Sequence, residues 1–130
     1  QLHGNESPSF CKNLMSSEIE VIKSFNIDSE FDFSIVNQYK TSCNLFLFDT
    51  KSDLPGGSGV SFDWNLLIKY KLDKPFFLSG GIGIDSTEQI IDLFSKNLPI
   101  HGIDVNSKFE NEDNLKDVAK LKEFKKILRL

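Results

Sequence analysis

Leu45-Phe46-Leu47-Phe48 is a short apolar run bounded by polar, turn-forming residues. It is too short for a helix, and such a run reads as a strand buried on both faces of a parallel sheet. It stops at Asp49. A glycine-rich stretch, Gly56-Gly57-Ser58-Gly59, comes next, then a helix over 63–71 with Trp64, Leu67 and Ile68 as its apolar stripe. The same order recurs along the chain. A strand over 19–25 precedes a helix over 28–40, capped by Asp28, with Phe31, Ile35 and Tyr39 on one face. A strand over 76–78 precedes a helix over 86–96, with Ile90, Ile91 and Phe94 inward. A strand over 100–105 precedes a helix over 114–130, with Leu115, Val118, Leu121 or Lys122, and Leu128 along its stripe. Ser7 caps a further short helix over 7–15, with Pro8 at its first position. Strands alternating with helices predict an α/β fold with a parallel sheet, in which ligands sit beyond the carboxyl ends of the strands.

Strand periodicity sorts the polar residues. If Asp49 faces a cleft, Leu45 and Leu47 face it too, and Phe46 and Phe48 face the covering helices. Asp49 is then a site carboxylate; alternatively it caps a turn in Asp-Thr-Lys-Ser-Asp. His3 also stands at a strand end, at a site or packing a loop. Ser79-Gly80-Gly81-Ile82-Gly83 joins a strand end to a helix start. It reads as a phosphate cradle or as a turn that needs glycine for its backbone angles. Asp104 and Asn106 share one face at the last strand end, followed by Ser107 and Lys108. Lys23, inside an apolar run, reads as an interior lysine paired with a carboxylate, or as a ligand contact.

These segments resemble the phosphoribosylanthranilate isomerases of tryptophan biosynthesis. The resemblance is carried by Q-L-H-G at 1–4, V-I-K-S-F at 21–25, L-F-D-T-K at 47–51, G-G-S-G-V-S-F-D-W at 56–64, F-L-S-G-G-I at 77–82 and D-V-N-S at 104–107. They occur in the family's order and spacing. The resemblance implies one domain over residues 1–130, forming part of a TIM (β/α)8 barrel from the end of strand 4 to helix 8. A complete barrel takes about 250 residues, with about 200 as the low end, and this chain has 130 and begins with Gln1. The expectation is a C-terminal portion lacking the first three βα units. The implied reaction is an Amadori rearrangement of a phosphoribosyl aminoaldose to a ketose, with no cofactor and no metal. Asp49 matches the family's general acid. His3, Gly57 and Asp104 match substrate-binding positions, and Gly80, Gly81, Asn106 and Ser107 match phosphate-binding ones. The family's general base is a cysteine on the first barrel strand, which has no counterpart here, so the isolated chain is expected to be inactive. Lys108 stands where the family commonly has glycine, and Glu110 matches a family acid. The alternatives are a non-catalytic phosphate-binding half-barrel and another phosphosugar barrel enzyme.

A formal charge of −4 disfavours a nucleic-acid partner. The lysines of the last helix read as a solvated face with cations suited to its C-terminal end. No apolar run approaches a membrane span and no leader is evident, so a cytoplasmic location is expected. Cys11 and Cys43 show no metal spacing. Cys43 precedes Asp49 by six residues on one strand, about 20 Å away, so both cysteines are expected to be packing residues.

Overall fold

A computed structural model describes residues 1–50 and 64–130. Four strands, β1 (Ile22–Ile27), β2 (Leu45–Thr50), β3 (Phe76–Ser79) and β4 (Ile100–Ile103), form one sheet in chain order, every pair parallel. Leu2 pairs in parallel with Lys23 and so extends the sheet beyond β1. The helices are α1 (Pro8–Met15), α2 (Thr87–Phe94) and α3 (Val118–Leu128); between β1 and β2, and between β2 and β3, the described residues hold 3-10 segments instead.

The register decides which side chains share a face. Lys23, Phe46 and Phe76 lie level, as do Phe25, Phe48 and Leu78. Neighbours in register on a parallel sheet point to the same side. These aromatic residues join Cys11, Val36, Leu67, Tyr70, Ile90 and Phe124 in one buried cluster, which marks the helix-covered face. Phe48 stands among Phe25, Phe33, Phe46, Tyr70 and Phe76, with ring centroids 4.8–6.2 Å apart. Buried apolar area of this kind is the main stabilising term, about 2–3 kcal/mol for each fully buried large side chain.

Several expected elements are corrected. The helix expected over 28–40 is a 3-10 segment, Phe33–Tyr39, capped by Asp32 rather than Asp28. Val36 is buried and Ile35 is exposed. The start of the helix expected over 63–71 lies outside the described residues, and its described part is the 3-10 segment Trp64–Lys69. Here Tyr70 is buried and Ile68 is exposed. Both segments place aromatic and aliphatic residues at every third position: Phe33, Val36 and Tyr39, then Trp64, Leu67 and Tyr70. A helix with three residues per turn stacks that spacing on one side.

On α2 the inward residues are Ile90 and Leu93, whereas Ile91 and Phe94 face outward. The last helix begins at Val118, not 114. It buries Phe124 and Leu128 and leaves Leu115 and Val118 exposed. The first strand lies three residues later at its start than expected and the last ends two residues earlier. The α1 reading holds, with the Ser7 hydroxyl accepting from the Phe10 amide and Pro8 in the first turn.

Lys23 is buried and paired with a carboxylate, as one of its readings had it, but it points to the helix-covered face of the sheet. Its ammonium donates to the carbonyls of Gly4 and Ser24, each at 2.9 Å, lies 3.3 Å from Glu6, and sits 5.1 Å from the centroid of the Phe25 ring. It therefore ties residues 2–6 to β1. Also toward the amino ends of the strands, Lys74 donates to the Cys43 carbonyl, and the Asn44 side chain accepts from the Val21 amide at 2.7 Å. Among the described residues, no helix is long and apolar enough to cross a membrane.

Candidate active site

The second face of the sheet carries a different set of residues. By register, Asn26, Asp49 and Ser79 form a row across the carboxyl ends of β1, β2 and β3. Asp104 extends this row just beyond β4, and the Ser79 hydroxyl donates to its carboxylate at 3.2 Å. One layer deeper lie Ser24, Leu47, Phe77 and Gly102. The register slips by one residue between Phe76 and Phe77 against β4, which brings Gly102 opposite Phe77. A Cβ on Gly102 would lie 2.8 Å from the Phe77 ring, so glycine leaves that ring its place in this layer.

At the carboxyl ends of the strands is a cavity of about 350 Å³, lined by His3, Leu47, Asp49, Gly81, Asp104 and Lys108 among others. It also takes in Gly80, Asn106 and Ser107, so every described residue singled out in the sequence for this site lines one space. Gly57 and the glycine-rich stretch around it lie outside the described residues.

The β3 turn combines two uses of glycine. Gly80 has φ 97° and Gly81 has φ 58°, the left-handed region that disfavours side chains. A Cβ on Gly81 would meet nothing within 4 Å, so its backbone is open to the cavity. Gly83 has an extended backbone and is there for space instead: a Cβ would lie 2.7 Å from Lys108 Cδ and 2.3 Å from an Asp85 carboxylate oxygen.

The loop after β4 is braced from behind, which sequence reasoning did not detect. Lys116 donates to the Asn106 side chain at 2.7 Å and pairs with Glu110; Lys120 donates to the Lys108 carbonyl. These two lysines are thus loop supports rather than members of a solvated face. Their spacing after D-V-N-S is the available signal, since the chain must turn back for them to reach it. Asn26 shares the register row of Asp49 but does not line the cavity. Lys108 lies in the turn Ser107–Phe109 without positive φ, so a glycine is not required at that position.

The two cysteines are buried, Cys11 in α1 and Cys43 just before β2. Burial pushes the Cys43 thiol up to about 11 and raises that of Cys11 as well. Neither lines the cavity.

The model of the N-(5'-phosphoribosyl)anthranilate (PRA) isomerase family matches residues 1–126. The chain belongs to that family. It is 45% identical over 124 residues to N-(5'-phosphoribosyl)anthranilate isomerase of Parabacteroides distasonis, covering 95% of this chain and 55% of that protein. It is 41% identical over 124 residues to the Phocaeicola vulgatus protein of the same name, covering 95% and 60%. The chain therefore spans little more than half the length of these relatives. Among solved structures, the Thermus thermophilus phosphoribosyl anthranilate isomerase superposes with a TM-score of 0.74 at 22% identity, over 99% of this chain and 59% of that one. The Pyrococcus furiosus enzyme gives 0.72 at 20% identity, over 98% and 60%. These likenesses show the fold: a parallel α/β sheet like that of the family's barrels.

Proposed function

We propose that this chain is the C-terminal part of a PRA isomerase barrel and carries the acid and phosphate halves of its active site. The observation that supports this most is the placement of Asp49 and the open Gly81 backbone on one cavity at the carboxyl ends of parallel strands. Family membership supplies the reaction: N-(5-phosphoribosyl)anthranilate becomes 1-(2-carboxyphenylamino)-1-deoxyribulose 5-phosphate.

Asp49 donates a proton to the ring oxygen of the ribose. The C1–O bond breaks as the nitrogen lone pair forms a C1=N iminium. A base then removes the C2 proton, and its electron pair forms the enolamine, which tautomerises to the C2 ketone. The substrate nitrogen is the electron sink. Gly80, Gly81, Asn106 and Ser107 hold the phosphate at the far end and so position C1 and C2. His3 and Asp104 contact the sugar, together with Gly57 from the glycine-rich stretch that follows β2 in sequence.

The base has to approach within about 3 Å of the C2 proton, directly or through one water. Cys11 and Cys43 are away from the cavity, and burial favours their protonated thiols. The base in this reading comes from outside these 130 residues. The chain alone is then expected to bind phosphate esters without turning them over.

The test is Asp49→Asn in an enzyme containing this segment. The amide keeps the shape and cannot donate a transferable proton. Turnover should fall by about 10²–10⁴-fold, with binding of a product analogue kept within about threefold. A variant that loses binding but retains its rate would make Asp49 a binding group.

A further inference from the structure

We propose that Lys108 is a phosphate ligand held in reserve by Asp85, so that anion binding exchanges one partner for the other. This rests on the phosphate-site reading above and adds a residue and a switch to it.

Lys108 lies in the loop after β4, and its carbonyl is held by Lys120. Its side chain crosses to the other phosphate loop, passing over Gly83, where a Cβ would sit 2.7 Å from its Cδ. The ammonium ends on the Asp85 carboxylate, 2.9 Å from one oxygen and 3.3 Å from the other. One ion pair thus straps together the two loops that would hold the phosphate. Lys108 lines the cavity and Asp85 does not.

Charge balance gives the lysine its task. Asp49 and Asp104 also line the cavity, so a dianion entering it meets two carboxylates. Among the described residues that line the cavity, Lys108 is the lysine; Lys116 nearby is engaged by Glu110 and Asn106. The Lys108–Asp85 pair is well exposed, at 44% and 69% of the side-chain surface. Pairs so exposed hold weakly, by a factor of about two to five. A phosphate dianion offers more charge and three acceptor oxygens, and hydrogen bonds to it are stronger. The ammonium can therefore leave a weak partner for a better one by rotating its stem, with its backbone fixed.

Amide NMR titration of the chain with inorganic phosphate tests this, using wild type, Lys108→Gln, Asp85→Asn and the double variant. Lys108→Gln should weaken binding about tenfold. Asp85→Asn removes the competitor and should tighten binding about two- to fivefold. The double variant should bind like Lys108→Gln. Phosphate shifts at Gly80, Gly81 and Ser107 in wild type, with affinity unchanged in both single variants, would overturn the switch and keep the phosphate site. Absence of those shifts in wild type would overturn both. Weaker binding by Asp85→Asn would show that the pair only shapes the loops, and would overturn the reserve role.

Discussion

Phe48→Ala tests the face assignment on which the whole site depends. Phe48 is fully buried and touches five aromatic rings on the helix-covered side of β2. Truncating a buried phenylalanine costs about 3–5 kcal/mol, from lost transfer energy and the cavity left behind. Aromatic pairs contribute about 0.5–1.5 kcal/mol each beyond their area. Those contacts are already part of the truncation cost, so they place this site near the upper end, at about 4–5 kcal/mol. For a chain of this length, each kcal/mol lowers Tm by about 3–5 °C. The expected loss is therefore about 12–25 °C. Leu47→Ala is the matched comparison. Leu47 is also buried, but it lines the cavity and stands outside the core cluster. Its cost should be nearer 2 kcal/mol, the low end for such truncations. Urea or thermal unfolding of both variants measures the difference. A one-residue slip moves every side chain to the other face. If Leu47→Ala costs more than Phe48→Ala, then Asp49 points into the helical layer and the proposed acid is misplaced.

Two other outcomes concern buried polar groups. Burial pushes the Cys43 thiol from 9.0 up to about 11, so the folded chain keeps a proton that the unfolded chain releases. That contribution, about 2–3 kcal/mol, is complete below about pH 9 and lost as pH rises through about 11. The urea midpoint should fall over that window, and Cys43→Ala should flatten the fall, leaving a residual slope from Tyr70, whose phenol is also raised by burial. Lys23→Met removes the donor that two carbonyls share. It should destabilise by about 2–4 kcal/mol and increase amide exchange across residues 2–6. Unchanged exchange there would mean that Lys23 does not anchor the segment carrying His3.

Binary pattern and turn chemistry made much of this fold legible. Leu45-Phe46-Leu47-Phe48 can be little but a buried strand, and the polar residue ending it must lie at the sheet's carboxyl edge. Gly80 and Gly81 marked a sharp turn because positive φ disfavours a side chain. Those local constraints marked Asp49 and the Gly80–Gly81 turn as candidates, each with a structural alternative; the family resemblance added His3, Asp104, Asn106 and Ser107, and all of these line one cavity. Helix type was less legible. Phe31, Ile35 and Tyr39 suit an α-helix, while Phe33, Val36 and Tyr39 suit a 3-10 turn; burial against the sheet selected the second. The facing of α2 was likewise set by packing, since Ile90 is compatible with either Leu93 or Ile91 and Phe94 as partners.

The roles of the lysines were decided by tertiary structure alone. Lys23, Lys108, Lys116 and Lys120 are alike as sequence, being long cations each with an apolar residue beside it. What separates them is which carbonyl or carboxylate lies within reach once the strands are in register. Lys23 reaches Gly4 and Glu6, Lys108 reaches Asp85, and Lys116 and Lys120 reach the loop after β4. A lysine side chain is flexible enough to serve many positions, so its own sequence neighbourhood cannot choose among them. Apolar spacing and glycine, by contrast, act over a few residues of backbone, which is why the sequence by itself determined the presence and order of the strands, to within two or three residues at their ends, and left the partners of the charges to the fold.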